Sequence, residues 1–242
     1  MSNGIKSLKE CLYGRKLRLS VVAIILGIMV LAPLVAAAGN PNPGVVPVDS
    51  KFFGKTYGDW SEEWWKWTLS IPADRNPLLD TTGDFCAERQ SGNVWFLAGT
   101  FGETGVVRNC DIPSGKALFF PIINAECSKV EGDGPAQKEL RAGAKALIDN
   151  VTVKEVIIDD TVLIDLDNYR VGSKLFVFKL PTNNVMELPA GSSPAVSDGY
   201  WIMLKPLSAG QHEIHVHGEA KISETFTFKT EVTYNLNVVP KK

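Results

Sequence analysis

The chain reads as a mainly β protein, an antiparallel two-sheet sandwich of jelly-roll or immunoglobulin-like kind with two short α-helices. Three observations predict this class. The last 90 or so residues alternate apolar and polar side chains with a period of two, as half-buried strands do. Only two stretches carry the helical period instead. Between the apolar segments stand the turn formers of Gly102 to Gly105, Ile112-Pro113-Ser114-Gly115 and Leu207-Ser208-Ala209-Gly210.

The N-terminal 38 residues have the three parts of a secretory signal, in order. Lys6, Lys9, Arg15, Lys16 and Arg18 make a basic start, Ser20 to Ala38 carries no charge, and Ala36-Ala37-Ala38 supplies a small-residue exit. Cleavage is expected after Ala38, giving a secreted or periplasmic protein that meets a membrane only through the signal. The alternative is an uncleaved anchor, because the apolar run of about 19 residues approaches the roughly 20 that span hydrocarbon as a helix. Neither an adjacent Arg pair nor a Cys at the exit marks a twin-arginine or lipoprotein route. Residues 39–51, rich in Pro, Gly and Asn, read as an extended tether, and 52–242 as a single domain.

The signal holds five of the 25 basic and one of the 27 acidic residues, which leaves 20 against 26 and a net charge of about −6. A nucleic-acid partner is not expected, since no segment forms a basic stripe with interleaved aromatics. Beyond the signal stand three cysteines. Cys86 and Cys110 are the favoured disulfide, closing a loop of about 25 residues and contributing about 3 kcal/mol through the unfolded state. Cys127 is then a buried free thiol, with a Cys110 to Cys127 bridge as the alternative.

Taken in order, the first element is a helix. Thr56 and Asp59 have the form of a capping box, Trp60, Trp64, Trp67 and Ile71 recur on one helical face, and Pro72 stops the run. Asn93 to Ala98, Val106 to Cys110 and Ala117 to Ile123 follow as strands, which the short turns between them would fold into a three-stranded meander. The last of these is apolar on both faces and so is expected to be sandwiched, with Pro121 at an edge or bulge. A second helix is expected from about Pro135, capped by Asp133 or Gly134, with Leu140, Ala144, Leu147 and Val151 on its inner face. Strands near Val153 to Ile158, Lys174 to Leu180, Gly199 to Leu204, Gln211 to His217 and Thr225 to Val238 complete the chain. In the last one Phe226, Phe228, Val232, Tyr234, Leu236 and Val238 share the core parity, and it should close the sandwich as a C-terminal hairpin.

Three segments carry a resemblance: Tyr57-Gly58-Asp59-Trp60-Ser61-Glu62-Glu63-Trp64-Trp65-Lys66-Trp67, Val94-Trp95-Phe96-Leu97-Ala98-Gly99-Thr100, and Gly115-Lys116-Ala117-Leu118-Phe119-Phe120-Pro121-Ile122-Ile123-Asn124. Over most of the mature length the chain resembles a group of uncharacterised secreted bacterial proteins. The resemblance implies export and a prokaryotic source, and carries no activity or site residue with it.

Candidate sites are few. Glu213, His215, His217 and Glu219 fall on one face of a strand, and a His-x-His pair with a carboxylate is a donor set for Zn²⁺ or Cu²⁺; the same pattern describes the wet face of a half-buried strand, and no cofactor is otherwise expected. Asn124, Glu126 and Cys127 form a polar cluster at the end of an apolar strand, a common place for a site, with Asp84 or Glu88 as distant partners for Glu126. Trp65, beside the core stripe of its helix, is the indole expected to be most exposed and the candidate carbohydrate contact. No catalytic signature of the nucleophile-elbow, phosphate-loop or dinucleotide kind is present. The expected function is therefore a non-catalytic binding or surface-matrix module for an extracellular ligand, polysaccharide or surface protein. A metal-assisted hydrolase on the His215/His217 strand and a carbohydrate-binding module on the Trp-rich helix are the alternatives.

Overall fold

The computed structural model describes residues 42–240, so the signal, its cleavage point and the anchor alternative lie outside the described residues. Two five-stranded sheets form the expected sandwich, with two α-helices packed on it. The first sheet runs β1 (Val94–Phe96), β3 (Ala117–Ser128), β8 (Gly191–Leu204), β6 (Arg170–Gly172), with β7 (Phe176–Leu180) also paired to β8. The second runs β2 (Val106–Pro113), β10 (Thr227–Val239), β9 (Gly210–Lys221), β4 (Val151–Ile158), β5 (Thr161–Val162). No helix among the described residues is long and apolar enough to cross a membrane.

The expected meander does not form. β1 and β3 pair in parallel, Trp95 opposite Leu118, while β2 crosses to the other sheet and lies parallel to β10, Cys110 opposite Leu236. Burial explains the exchange. β2 is wet on alternate residues and suits a sheet with one solvent face, whereas β3 is buried from Ala117 through Ile123 on both faces and needs cover on both sides. The C-terminal hairpin of β9 and β10 is present, with Val232, Tyr234, Leu236 and Val238 buried as their parity requires. Phe226 departs from that parity: it precedes the strand, in the hairpin loop, and is 55% exposed.

Helix α1 (Tyr57–Ser70) begins in the expected box, Asp59 N donating to Thr56 Oγ1 at 3.2 Å and Thr56 N to Asp59 Oδ2 at 3.0 Å. The Thr56 N–H, with the Thr56 hydroxyl that donates to the same oxygen at 2.8 Å, holds the Asp59 carboxyl down at about 2. The helix lies across β6, β7 and β8. Trp64 is its most buried tryptophan: its ring meets Trp201 edge-on at 5.4 Å, Trp201 stacks on Phe119 at 5.1 Å, and Trp64 Nε1 donates to Leu97 O at 2.9 Å. Each of Trp60, Trp64 and Trp67 thus satisfies its indole N–H on a backbone carbonyl while filling the core.

Helix α2 (Gln137–Asp149) starts two residues later than the sequence suggests and has no side-chain cap. Asp133 is engaged elsewhere, its Oδ2 accepting from Ser128 N at 2.8 Å. Its inner face is Leu140, Ala144 and Ile148 rather than Leu147, which stays on the surface, and Val151 opens β4. The tether expectation is also corrected. From Asn42 the chain is bound to the domain: Val46 N donates to Met203 O at 2.8 Å, Lys205 N to Gly44 O at 2.9 Å, and Asn42 Nδ2 to Ile164 O at 2.9 Å. Val45 and Val46 bury their side chains there, which the surrounding Pro and Gly residues conceal in the sequence. Cys86 and Cys110 form the expected disulfide, and Cys127 is free and buried.

Candidate functional site

The site begins where a strand ends. β1 accompanies β3 only as far as Phe96 opposite Phe119, and Pro121, which has no N–H, cannot continue that ladder. Between Pro121 and Ile123 the pairing with β8 slips by a bulge, the device by which strands re-aim side chains next to sites. The β3 edge from Pro121 to Glu126 is thus left without a strand neighbour, and a cavity of about 320 Å³ lies along it. Trp64, Trp65 and Leu69 of α1 close one side. Ile148 of α2 with Ala220, Phe228 and Thr230 of the second sheet close the other. The sheets touch at Gly218, where an added Cβ would stand 2.8 Å from Ile122 O.

The mouth is apolar. Phe101, Leu147, Ile222 and Phe226 line it and are also among the large apolar side chains left exposed, from 37% to 55%. They come from three separate segments: the loop before β2, the end of α2, and the β9–β10 hairpin. Thr100, beside Phe101, is tied to β10 through its N–H and hydroxyl on Thr230 Oγ1, at 3.2 and 3.1 Å.

The inner wall has a different character. Asn124 pairs with Gly199 and Glu126 with Ser197, and Ser197 Oγ meets Ser61 of α1 at 3.2 Å, so both β3 side chains face the helix. Trp65 Nε1, Asn124 Nδ2 and both carboxyl oxygens of Glu126 are buried there with no hydrogen-bond partner. Each such group costs about 1–3 kcal/mol, so the cluster is expensive to keep. Burial pushes the Glu126 carboxyl up to about 10, helped by the nearness and charge of Glu131 and by the charge of Asp133. The two observations agree. As a carboxylate Glu126 would meet no donor, and the acids Glu131 and Asp133 nearby favour its neutral form.

Of the polar cluster read from the sequence, the structure therefore brings Asn124 and Glu126 to one wall but not Cys127. That thiol lies on the opposite face of β3 among Leu140, Ala144 and Val196, and burial, followed by the charge of Asp133, pushes it up to about 12. It is protonated, packed and unsuited to nucleophilic work. Glu88, considered as a partner for Glu126, instead bridges Arg75 at 3.3 Å. Trp65 is 8% exposed rather than the most exposed indole, because the helix flank that bears it faces the β3 edge and the second sheet. It lines the cavity and offers no surface platform.

His215 and His217 do share the outer face of β9 with Glu213 and Glu219. Their neighbours are local: His217 Nε2 lies 3.1 Å from Glu219 Oε1, and His215 Nδ1 lies 3.0 Å from Thr233 Oγ1. Glu219 is shared with Lys229 at 2.8 Å. Among the described residues no group of three or more His, Cys, Asp or Glu side chains is placed to hold a metal ion.

Sequence reasoning missed the cavity's far walls. Phe101 and Glu131 come from loops and have no periodicity to mark them, and Phe226 carries the core parity of the strand that it precedes; for the two phenylalanines the available signal is a large apolar residue in a turn segment that a core does not claim. Compared with family models, curated proteins and solved structures, the chain matches none.

Proposed function

We propose that this chain is an exported, secreted or periplasmic protein that binds a small, largely apolar molecule in the cavity beside β3, without catalysing its reaction. The observation that carries the reading is the cavity itself: about 320 Å³, walled mostly by apolar and aromatic side chains, with a few polar groups on one wall. That volume and lining are those of small-molecule sites, which run from about 300 to 1,000 Å³. The polar groups on the wall are the neutral acid Glu126, a second carboxyl at Glu131, an amide, an indole and two threonine hydroxyls bonded to each other, and none of them stands beside a base that would make it a nucleophile. Export is supported by the basic, apolar and small-residue parts of the first 38 residues, by the resemblance to secreted bacterial proteins, and by a disulfide, which persists in oxidising compartments.

The test is direct. An environment-sensitive naphthylamine dye should brighten on binding to the mature protein and be displaced by apolar compounds. Ala125→Leu, which places a larger side chain on the cavity wall, should weaken the dye by about tenfold while the near-UV circular dichroism stays that of the parent. Failure of the parent to bind the dye or any apolar competitor would remove the proposal.

A further inference from the structure

The cavity's charges are all of one sign. Glu126 and Glu131 stand on its wall, Asp133 is near enough to act on Glu126, and no Lys, Arg or His side chain is among the described residues lining it. A carboxylate ligand would enter with no counter-ion and two acids beside it, and an unpaired buried charge is what a low-dielectric site rejects most strongly. An ammonium ligand could pair with Glu126 only if that side chain surrendered its proton, which its burial holds on, and the other acid, Glu131, already accepts from Ser128 Oγ at 2.7 Å.

What the wall offers is donors. The indole Nε1 of Trp65 and the amide Nδ2 of Asn124 can only donate, and neither meets an acceptor. The two come from different elements, α1 and β3, and converge on the same cavity, whose other end opens through Phe101, Leu147, Ile222 and Phe226. Both residues line the cavity but both nitrogens are closed to water, so a ligand oxygen reaches them only as the Trp65 and Asn124 side chains turn toward it, which trades two unpaired buried groups for paired ones.

Resting on the binding reading above, we infer that the cavity selects uncharged apolar molecules that end in a carbonyl-type oxygen, which accepts from Asn124 Nδ2 and Trp65 Nε1 while the apolar tail points to the mouth. Ketones, esters and amides belong to this class. Carboxylates and amines of the same chain length do not.

The experiment compares four compounds built on one decyl chain, a methyl ketone, a carboxylate, a primary amine and the bare alkane, as displacers of the naphthylamine dye from the mature protein at neutral pH. The ketone is expected to bind about tenfold or more tighter than each of the others, the difference that two hydrogen bonds to an apolar wall supply. In Asn124→Leu and in Trp65→Phe the ketone-to-alkane ratio should fall several-fold. Thermal midpoints should hold or rise, because each change deletes an unpaired polar atom. Should Asn124→Leu fold poorly, Trp65→Phe alone decides. Equal affinity for ketone and alkane overturns the inference and leaves the binding reading standing. So does a tightest-binding amine that releases a proton when titrated calorimetrically in two buffers, since that assigns the head group to an ionised Glu126. If the dye and all four compounds fail to bind, the binding reading falls and this inference falls with it.

Discussion

At the scale of single residues, the molecule keeps two buried ionisable groups in opposite ways. Arg108 is fully satisfied: its guanidinium donates to the carbonyls of Asp80, Ala98 and Gly99 at 2.7, 2.7 and 3.1 Å and to the Tyr234 hydroxyl at 2.6 Å. Two of those carbonyls immediately precede Thr100 and Phe101, so one side chain under β2 fixes the approach to the cavity mouth. Arg108→Met should leave the carbonyls of Asp80 and Gly99 without that donor, while Ala98 O keeps the Tyr234 hydroxyl, and cost about 2 kcal/mol or more, read from the urea midpoint. Glu126 is the reverse, a buried acid kept neutral. Its folded value lies above that of the unfolded chain, so the unfolded state gives up the proton first as pH rises. Stability falls between about 4.5 and about 10, by up to about 1.4 kcal/mol per pH unit. Glu126→Gln, which has no proton to lose, should flatten that decline and be the more stable protein at mildly alkaline pH. A parent and variant with parallel stability profiles over that span would show that Glu126 is ionised in the fold. Part of this was legible in the sequence. Asn124 and Glu126 stood out because polar residues directly follow a strand apolar on both faces. Arg108 did not, because alternation places it on the inward parity of β2 without saying what awaits it there.

At the scale of elements, legibility followed the range of the interactions. The α1 capping box and tryptophan stripe depend on neighbours three to eight residues away, and so does the parity of β10, so local pattern suffices for them. The pairing of β1 with β3 and of β2 with β10 is parallel and long-range, and the short turns between these strands point toward hairpins that burial overrules. The cavity belongs to this second group, since β1 is three residues long and leaves the β3 edge beyond Phe119 open. For α1 the expectation is specific. Trp64→Ala should cost about 3–5 kcal/mol, as the loss of a large aromatic from a packed core does. Trp65→Ala should cost less, because it borders existing empty volume and its Nε1 has no bond to lose. Chemical denaturation of the two variants side by side checks the order.

At the scale of the whole molecule, the segment at 42–46 ties the start of the described chain to the end of β8. Val45 and Val46 are buried there, and Tyr57 adds a hydroxyl that donates to Val46 O at 2.6 Å and accepts from Met203 N at 3.1 Å. A chain beginning at Phe52 should therefore be destabilised by about 3 kcal/mol or more, the contribution expected from two buried valines, with the thermal midpoint as the readout. Reading this segment as a tether failed because its composition is that of a loop, and only its docking partner, some 160 residues distant, shows otherwise.

The second sheet runs β2, β10, β9, β4, β5, so the strand made last among those described is an interior one, gripped on both sides. Until residues 227–239 have been synthesised, β2 has no neighbour in its sheet and the cleft above β3 has no roof. The growing polypeptide consequently completes its first sheet, with α1 across it, while the face of β3 that meets the second sheet still lacks part of its cover. This is the situation in which holding chaperones bind and in which strand edges aggregate. A fragment that stops at Ser223 is thus no smaller version of this protein. It should be recovered as aggregate or as chaperone complex, and mixing it with a synthetic peptide of residues 225–240 should restore a soluble sandwich, because the missing strand has its slot waiting between two others.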